Sequence, residues 1–344
     1  MRIAHLIPTL SGGGAERQLR YLSEELGRRG HDVLVLYVNP GVEPWSDAGV
    51  AMERLRTNGA WDPRLLTQVA SRLRAWKPHV VHTWILQMDI IGGINAGLMG
   101  IPWVLREPTT GVFYRRSAKA AVRALLVRTA AAAIVANSIG GLRYWEQHAP
   151  KRPRFLIPNA VPVPQIDAVH PLPMRARAGL FAGRLEASKN VDILMVASRE
   201  AGLDLTICGD GPERARLQQL AGEGVHFVGH RPDVWAYMKS AAFVASLSAF
   251  EGRPNVVLEA FAARVPVILS DIPAHRDIAD DRCAWFVQER DTAGVAQAMR
   301  EILAGGAQVQ ERVSEARRRV EDDSVESMVG AFEAIYDLVL RGKS

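Results

Sequence analysis

The chain has 344 residues, 48% hydrophobic and 23% charged, with a formal net charge of +5 and two cysteines. Such a length and balance describe a soluble globular protein with material for two domains. They argue against a disulfide scaffold, and Cys208 and Cys283, with no CxxC or Cys/His cluster around them, read as buried thiols of a reducing cytoplasm.

The opening Met-Arg-Ile-Ala-His-Leu-Ile-Pro runs straight into a strand-like stretch, so no secretory leader is expected. Ile3–Ile7 predicts a strand that leads into Ser11-Gly12-Gly13-Gly14. A helix follows with Ala15, Leu19, Leu22 and Leu26 on one face, ended by Gly30. Val33–Val38 predicts the next strand, and Leu66, Val69 and Leu73 a helix before a strand at Val80–Val81. The apolar stretch Ile90 to Leu105 is interrupted by Gly92, Gly93, Asn95, Gly97, Gly100 and Pro102. It is too short to span a membrane and reads as a helix plus a buried strand. Ile101–Leu105 and Ala132–Val135 continue the alternation, which implies a parallel sheet covered on both faces.

Near residue 160 the pattern breaks at Ile157-Pro158-Asn159-Ala160-Val161-Pro162-Val163-Pro164. Neither a helix nor a central strand is expected there, so this is the predicted interdomain linker. Alternation restarts with strands at Gly179–Ala182, Leu205–Cys208, Val225–Val228, Phe243–Ser246 and Val265–Leu269. Ser324 to Leu340 predicts a last helix with Met328, Phe332, Ile335 and Leu338 on one face. Ligands of open parallel sheets bind at the carboxyl ends of the strands, so the informative loops should converge there.

Three such loops carry candidate chemistry. In Ser11-Gly12-Gly13-Gly14-Ala15-Glu16, glycines let backbone pass close to a ligand, and the helix N-terminus offers N–H groups to a phosphate. A tight strand-to-helix turn explains the same glycines, and the spacing is not the dinucleotide fingerprint. In Gly183-Arg184-Leu185-Glu186-Ala187-Ser188-Lys189-Asn190, two cations five residues apart can reach one diphosphate and offset the charge a leaving nucleoside diphosphate gains. A solvated surface loop is the other reading. In Ser248-Ala249-Phe250-Glu251-Gly252-Arg253-Pro254-Asn255-Val256-Val257-Leu258-Glu259-Ala260, Pro254 suits a helix start, and the helix should run to about Arg264. Glu251 precedes it and Glu259 lies inside it. Their spacing suits acceptors for hydroxyls on different parts of one ligand better than a metal pair.

Taken together, these residues resemble the GT-B-fold retaining glycosyltransferases of family 4, over essentially the whole chain. The resemblance rests on the glycine loop before Ala15-Glu16, the Ile157–Val161 junction, Gly183-Arg184 with Lys189, Gly209-Asp210-Gly211-Pro212, and the Glu251/Glu259 pair, which matches the family's Glu-x7-Glu. It implies two Rossmann-like α/β domains facing an interdomain cleft: residues 1–163 on the acceptor side, 174–323 binding the nucleotide sugar, and a helix in 324–344 packing back on the first. By the same resemblance, Arg184 and Lys189 would bind the donor diphosphate, Glu251 the hydroxyls of the transferred sugar and Glu259 the ribose. Gly252, Asn255 and Val256 would touch sugar and phosphate. Gly209 and the Gly229-His230-Arg231 segment would lie near base and ribose, and Gly13 and Gly14 over the phosphates. Reaction would retain anomeric configuration through a front-face path. No metal or other cofactor is expected: Asp-x-Asp is missing, and so is a phosphate loop of the G-x-x-x-x-G-K-[ST] type.

The acceptor side departs from the family. The stretch Leu105-Arg106-Glu107-Pro108-Thr109-Thr110-Gly111 has no His, and His82-Thr83-Trp84 replaces the common His-x-His. His82, Trp84, Asp89, Arg106 and Glu107 are therefore the acceptor-pocket candidates, with a satisfied strand-end histidine as the other reading of His82.

Charge is uneven along the chain. Residues 1–160 carry 21 Lys+Arg against 11 Asp+Glu, and the remainder 21 against 26, so the first half is expected to meet something anionic. Pro108 to Trp145 contains no acidic residue but Arg115, Arg116, Lys119, Arg123, Arg128 and Arg143. With Val112, Phe113, Val122, Leu125 and Leu126 among them, this run predicts an amphipathic contact with an anionic membrane, an ordinary solvated face being the alternative. Nucleic acid is not the expected partner, because no groove-reading motif accompanies the patch. The expected function is sugar transfer from a nucleoside diphosphate donor to a glycan, lipid-linked or small-molecule acceptor, in a cytoplasmic or membrane-peripheral enzyme. A 2-epimerase-like isomerase and an inactive sugar-nucleotide-binding subunit are the alternatives.

Overall fold

The computed structural model describes residues 1–11, 13–41, 49–59, 61–109, 111–114, 117–172 and 178–342. They divide into two compact units, Met1–Ala160 with Val325–Ser344, and Val161–Ser324.

The first unit contains β1 (Arg2–Thr9), α1 (Gly14–Arg28), β2 (Asp32–Asn39), β3 (Val50–Arg54), α2 (Arg64–Trp76), β4 (Val80–Trp84), α3 (Ile85–Met99), β5 (Trp103–Glu107), α4 (Ala118–Ala130), β6 (Ala133–Ala136), α5 (Ile139–His148) and β7 (Arg154–Leu156). Its seven strands form one parallel sheet in the order β3-β2-β1-β4-β5-β6-β7. Strand side chains alternate between two cores. Ile3 and Ile7 pack with Leu19, Leu22 and Leu26 of α1 on one face. Leu6 packs with Leu65, Val69, Met88, Ala124 and Val127 of α2, α3 and α4 on the other. Serines set two helix starts: Ser117 accepts from the Ala120 amide (3.2 Å) and Ser138 from the Gly141 amide (3.2 Å).

The second unit contains α6 (Val163–Ala168), β8 (Gly179–Ala182), α7 (Val191–Ala201), β9 (Leu205–Cys208), α8 (Arg214–Leu220), β10 (Val225–Gly229), α9 (Val234–Ser240), β11 (Phe243–Ser246), α10 (Asn255–Ala262), β12 (Val267–Ser270), α11 (Pro273–Arg276), β13 (Trp285–Val287), α12 (Thr292–Ala304) and α13 (Ala307–Arg318). Its parallel sheet runs β10-β9-β8-β11-β12-β13. Val257 and Phe261 of α10 and Ala316 of α13 cover one face, Leu194 of α7 and Met299 of α12 the other. The chain then rejoins the first unit as α14 (Val325–Arg341), whose Met328, Phe332, Ile335 and Tyr336 pack on the α1 face of its sheet.

Two expectations need correcting. The proline-rich junction does hold a short helix, because Pro162 precedes α6 and Pro164 falls in its first turn, where no intrahelical amide is lost. Strands β3, β7 and β13 were not expected. All three are five residues or shorter and lie at sheet edges, where burial on one side only leaves a weak apolar signature. Among the described residues, no helix is long and apolar enough to cross a membrane.

Candidate functional site

In the second sheet, strand order reverses between β8 and β11, which are adjacent and parallel. The loops leaving their carboxyl ends diverge at this switch point, where open α/β sheets place ligands. The β8 loop carries Arg184 and Lys189, and the β11 loop carries Ser248 and Glu251. A backbone hydrogen bond from the Ala249 amide to the Ser188 carbonyl (2.8 Å) stitches the loops together. Asn190, in a left-handed conformation (φ 49°), donates its side-chain amide to the Leu247 carbonyl (2.8 Å).

Lys189 and Glu251, 62 residues apart in sequence, form an ion pair through Nζ and Oε1. The Ser248 hydroxyl donates to the same Oε1 (2.7 Å). Both side chains keep a minority of their surface accessible, so the pair faces out of the sheet edge rather than into the core. Arg184 is far more open, 71% exposed, and its Nε lies 3.0 Å from Glu186 Oε1.

The β8, β9 and β10 loops are also laced together. The Gly183 amide donates to the Cys208 carbonyl (2.9 Å), Leu185 to Asp210 (2.9 Å) and Gly209 to Gly229 (2.7 Å). At Gly209 (φ +149°) a Cβ would run into the Gly183 carbonyl, so only glycine allows these loops to touch.

Asn255 and Val256 occupy the first turn of α10, after Pro254, where amides have no intrahelical acceptor. Gly252 lies between Glu251 and Arg253, and Arg253 pairs with Asp323. Glu259, 4% exposed, accepts a hydrogen bond from the Trp235 indole (2.9 Å). Trp235 sits on α9, just after the Gly229-His230-Arg231 segment. Arg184, Lys189, Gly209, Gly229, Glu251, Gly252, Asn255, Val256 and Glu259 thus all lie on the strand-end loops or α10 of one unit. Gly13 and Gly14 lie in the other, at the start of α1 and beside the β1/β4 switch point. A Cβ on Gly13 would meet the Glu16 carboxylate, which burial raises in pKa.

The five acceptor candidates turn out to be interior residues of the first unit. The two carboxylates, Asp89 on α3 and Glu107 at the end of β5, flank the fully buried guanidinium of Arg123 from α4: Nε lies 2.7 Å from Asp89 Oδ2 and Nη1 2.8 Å from Glu107 Oε2. Thr83 donates to Asp89 (2.6 Å), while Tyr114 (2.9 Å) and the Trp145 indole (3.0 Å) donate to Glu107. Burial pushes the Asp89 carboxyl up to about 6, against the pull of Arg123. Arg123 itself is held charged, because the Glu107 and Asp89 carboxylates outweigh its desolvation. Arg123 therefore cannot lie on a membrane, and Arg115 and Arg116 fall outside the described residues.

His82, Trp84 and Arg106 are covered by α14. Tyr336 hydroxyl and His82 Nδ1 are 2.7 Å apart, and the Arg106 guanidinium lies 5.3 Å from the Phe332 ring centroid and 5.9 Å from that of Trp84. Arg106 donates to the Ile157 carbonyl (2.9 Å) and to Asn159 Oδ1 (3.0 Å). The buried Gln18 side chain bonds both the amide (2.7 Å) and the carbonyl (2.9 Å) of Ala160. Arg106 and Gln18 thus anchor the junction segment. His5, Gln18, Trp235 and His275 were not singled out, Arg123 entered only in the basic run, and Ser248 only as the start of a candidate loop. A lone polar residue in a helix or strand gives no hint of a partner distant in sequence.

Comparison with known proteins follows the same division. A "Glycosyltransferase Family 4" model matches residues 12–164, and a "Glycosyl transferases group 1" model matches residues 176–305. A glycogen synthase from Mycobacterium tuberculosis is 26% identical, covering 98% of this chain and 94% of its own. The lipopolysaccharide core biosynthesis glycosyltransferase LpsE of Rhizobium meliloti is also 26% identical, over 96% and 95%. Among solved structures, HepE of Anabaena in complex with UDP-glucose superposes with a TM-score of 0.84 at 16% identity, covering 98% of this chain and 99% of its own. Sucrose-phosphate synthase from Thermosynechococcus elongatus gives 0.86 at 19%, over 99% and 100%.

Proposed function

From the premise that this chain belongs to the family 4 glycosyltransferases of GT-B fold, we propose that it transfers a sugar from a nucleoside diphosphate donor, with retention and without a metal, in glycoconjugate assembly. The donor site would be the strand-end loops of the second unit. The observation that carries this reading is the Lys189–Glu251 pair at the β8/β11 switch point, beside the glycine-only contact of Gly183 and Gly209. An ammonium has three donors. With one on Glu251, Lys189 retains two for a diphosphate, and so separates two groups of like charge. Arg184, paired only at the surface, is free to swing toward the same phosphates. As the glycosidic bond breaks, charge builds on the leaving diphosphate, and fixed cations there supply the stabilisation a metal would otherwise give. Glu251, held through Oε1, would turn Oε2 toward hydroxyls of the sugar. Glu259, oriented by Trp235, would take the ribose.

That relatives are named for glycogen, lipopolysaccharide and teichuronic acid synthesis supports polysaccharide or glycoconjugate assembly as the setting. A neighbour crystallised with UDP-glucose supports a nucleotide sugar as donor. An isomerase of the same fold would need the same diphosphate cations but no acceptor. The four residues Arg184, Lys189, Glu251 and Glu259 speak against an inactive subunit.

For the anionic partner, α4 offers an exposed face of Lys119, Val122, Leu125 and Arg128, with Val122 48% and Leu125 59% exposed. Lys119 also lies 4.2 Å from the ring centroid of Trp61, itself 42% exposed. Basic, aliphatic and indole groups on one face suit the interface of an anionic membrane, where a lipid-linked acceptor would be presented.

The direct test is a thermal-shift screen against uridine, guanosine, adenosine and thymidine diphosphates with excess chelator. One of them should raise Tm, since a ligand stabilises the state it binds. Product anomers read by NMR should match the donor's configuration. No shift with any diphosphate, or an inverted product, would contradict the proposal.

A further inference from the structure

We propose that His275 is a positioning residue for the donor site, setting the loop that carries Glu251. The inference rests on the donor reading above and adds a residue that the motifs do not contain.

His275 lies on α11, just past the end of β12, and is completely buried. A buried imidazole needs partners for both ring nitrogens, and here they are all loop-anchoring groups. Nδ1 is 2.8 Å from the Ser270 carbonyl oxygen, which can only accept, so Nδ1 carries the proton. Nε2 then holds the lone pair and accepts from the Ser246 hydroxyl at 3.2 Å. The ring therefore joins the last residue of β11 to the last residue of β12. From Ser270 the chain of contacts continues outward: its hydroxyl donates to the Ser248 carbonyl (2.6 Å), and the Ser248 hydroxyl donates to Glu251 Oε1 (2.7 Å). One buried ring thus stands behind three serines and the carboxylate at the site's edge.

The neutral ring is the state this network needs. Burial lowers the pKa of His275, the hydrogen bond to the Ser270 carbonyl and the charge of Glu251 oppose the shift, and Lys189 adds to it. Neutral imidazole supplies one donor and one acceptor in fixed directions, which no aliphatic side chain can. Removing it leaves the Ser270 carbonyl and the Ser246 hydroxyl without that partner, and the 247–251 loop free to relax. Oε1 of Glu251 is already fixed by Lys189 and Ser248, so the direction of Oε2 depends on where that loop sits. Misplacement of a reacting group by about 1 Å costs on the order of 10²-fold in rate.

A histidine that merely fills the core would lose stability when replaced, without a selective loss of turnover. Two substitutions separate the readings. His275→Asn keeps a donor near the Nδ1 position, and His275→Leu keeps bulk but no polar atom. Each is compared with wild type for kcat and KM on the sugar nucleotide that wild type turns over, and for calorimetric affinity toward its nucleoside diphosphate. The expected result is a loss of roughly 10- to 100-fold in kcat for His275→Leu, as for a misplaced group. Diphosphate affinity should stay within about threefold, and His275→Asn should recover most of the rate, because one hydrogen bond is restored. Should His275→Leu not fold, Ser270→Ala removes the hydroxyl's bond to the Ser248 carbonyl and its 3.2 Å approach to His275 Nδ1, keeps the Ser270 carbonyl, and should show the same split. The proposal is overturned if kcat is unchanged in folded His275→Leu, if the Asn variant is as impaired as the Leu variant, or if Ser270→Ala behaves as wild type. A wild type that binds no nucleoside diphosphate overturns the donor reading, and this inference with it. Wild-type turnover alongside an unaffected His275→Leu overturns the positioning role alone.

Discussion

Lys189 and Ser248 converge on a single oxygen, Glu251 Oε1, and in the proposed function that convergence separates the work of the two glutamates. Glu251 stands at the mouth of the loops, whereas Glu259 is buried on α10 and bound to an indole. Glu251→Gln is expected to lower turnover by about 10²-fold, the usual cost of removing an electrostatic contact made in the transition state. Its affinity for the nucleoside diphosphate should hardly change. Glu259→Gln should weaken that affinity by about tenfold or more, since a hydrogen bond to a charged group contributes about 1.5–3 kcal/mol. Calorimetry on both variants checks this, and the opposite pattern would reverse the two roles. Arg184, Lys189, Glu251 and Glu259 stood out as candidates in the sequence because charge at fixed spacing on a glycine- and proline-marked loop is rare. Trp235 and His275 were not legible as partners, since Glu259 and Ser246 lie far from them in sequence, and nothing in the spacing of Ser248 from Glu251 showed that its hydroxyl meets Oε1. The acceptor candidates failed for the converse reason. Polar residues at strand ends look available, but Arg123 and α14 had already claimed them.

Among the elements, α4 shows how a charge run misleads when its helical phase is ignored. Lys119, Arg123 and Arg128 are all basic, yet Arg123 points inward between Asp89 and Glu107 while the other two face solvent. Two outcomes follow from that phase. Arg123→Met should destabilise the protein by about 3–5 kcal/mol, because it strands two buried carboxylates without their cation. Lys119→Gln with Arg128→Gln should leave thermal stability nearly unchanged but reduce binding to anionic vesicles, each charge contributing about 1 kcal/mol near such a surface. Thermal unfolding and vesicle co-sedimentation at two salt concentrations distinguish the two. Equal binding to neutral and anionic vesicles would remove the membrane role. Central strands such as β8, β9 and β11 could be read to the residue because both of their faces are buried. The edge strands β3, β7 and β13 could not. Helix α6 aside, the junction was recognisable from its prolines, but its anchoring by Arg106 and Gln18 was invisible, both being ordinary polar positions in a strand and a helix.

At the scale of the whole molecule, two all-parallel sheets each reverse strand order once, and each unit carries its glycine loop beside that reversal. The sequence revealed this plan through strict alternation of apolar runs and helical periods, and the family models divide the chain at the same junction. Sugar, base and acceptor are chosen by pocket details that the fold does not dictate. The central claim is that fixed side-chain cations of the second unit, Lys189 foremost, stabilise a leaving nucleoside diphosphate without a metal. The measurement that tests it most directly is release of nucleoside diphosphate from the sugar nucleotide by wild type and Lys189→Ala, both in excess chelator. The account predicts undiminished turnover for wild type and a loss of roughly 10²–10³-fold for the variant, the usual cost of one lost stabiliser of developing charge. Loss of wild-type turnover that a divalent cation restores, or a Lys189→Ala variant as fast as wild type, would contradict it.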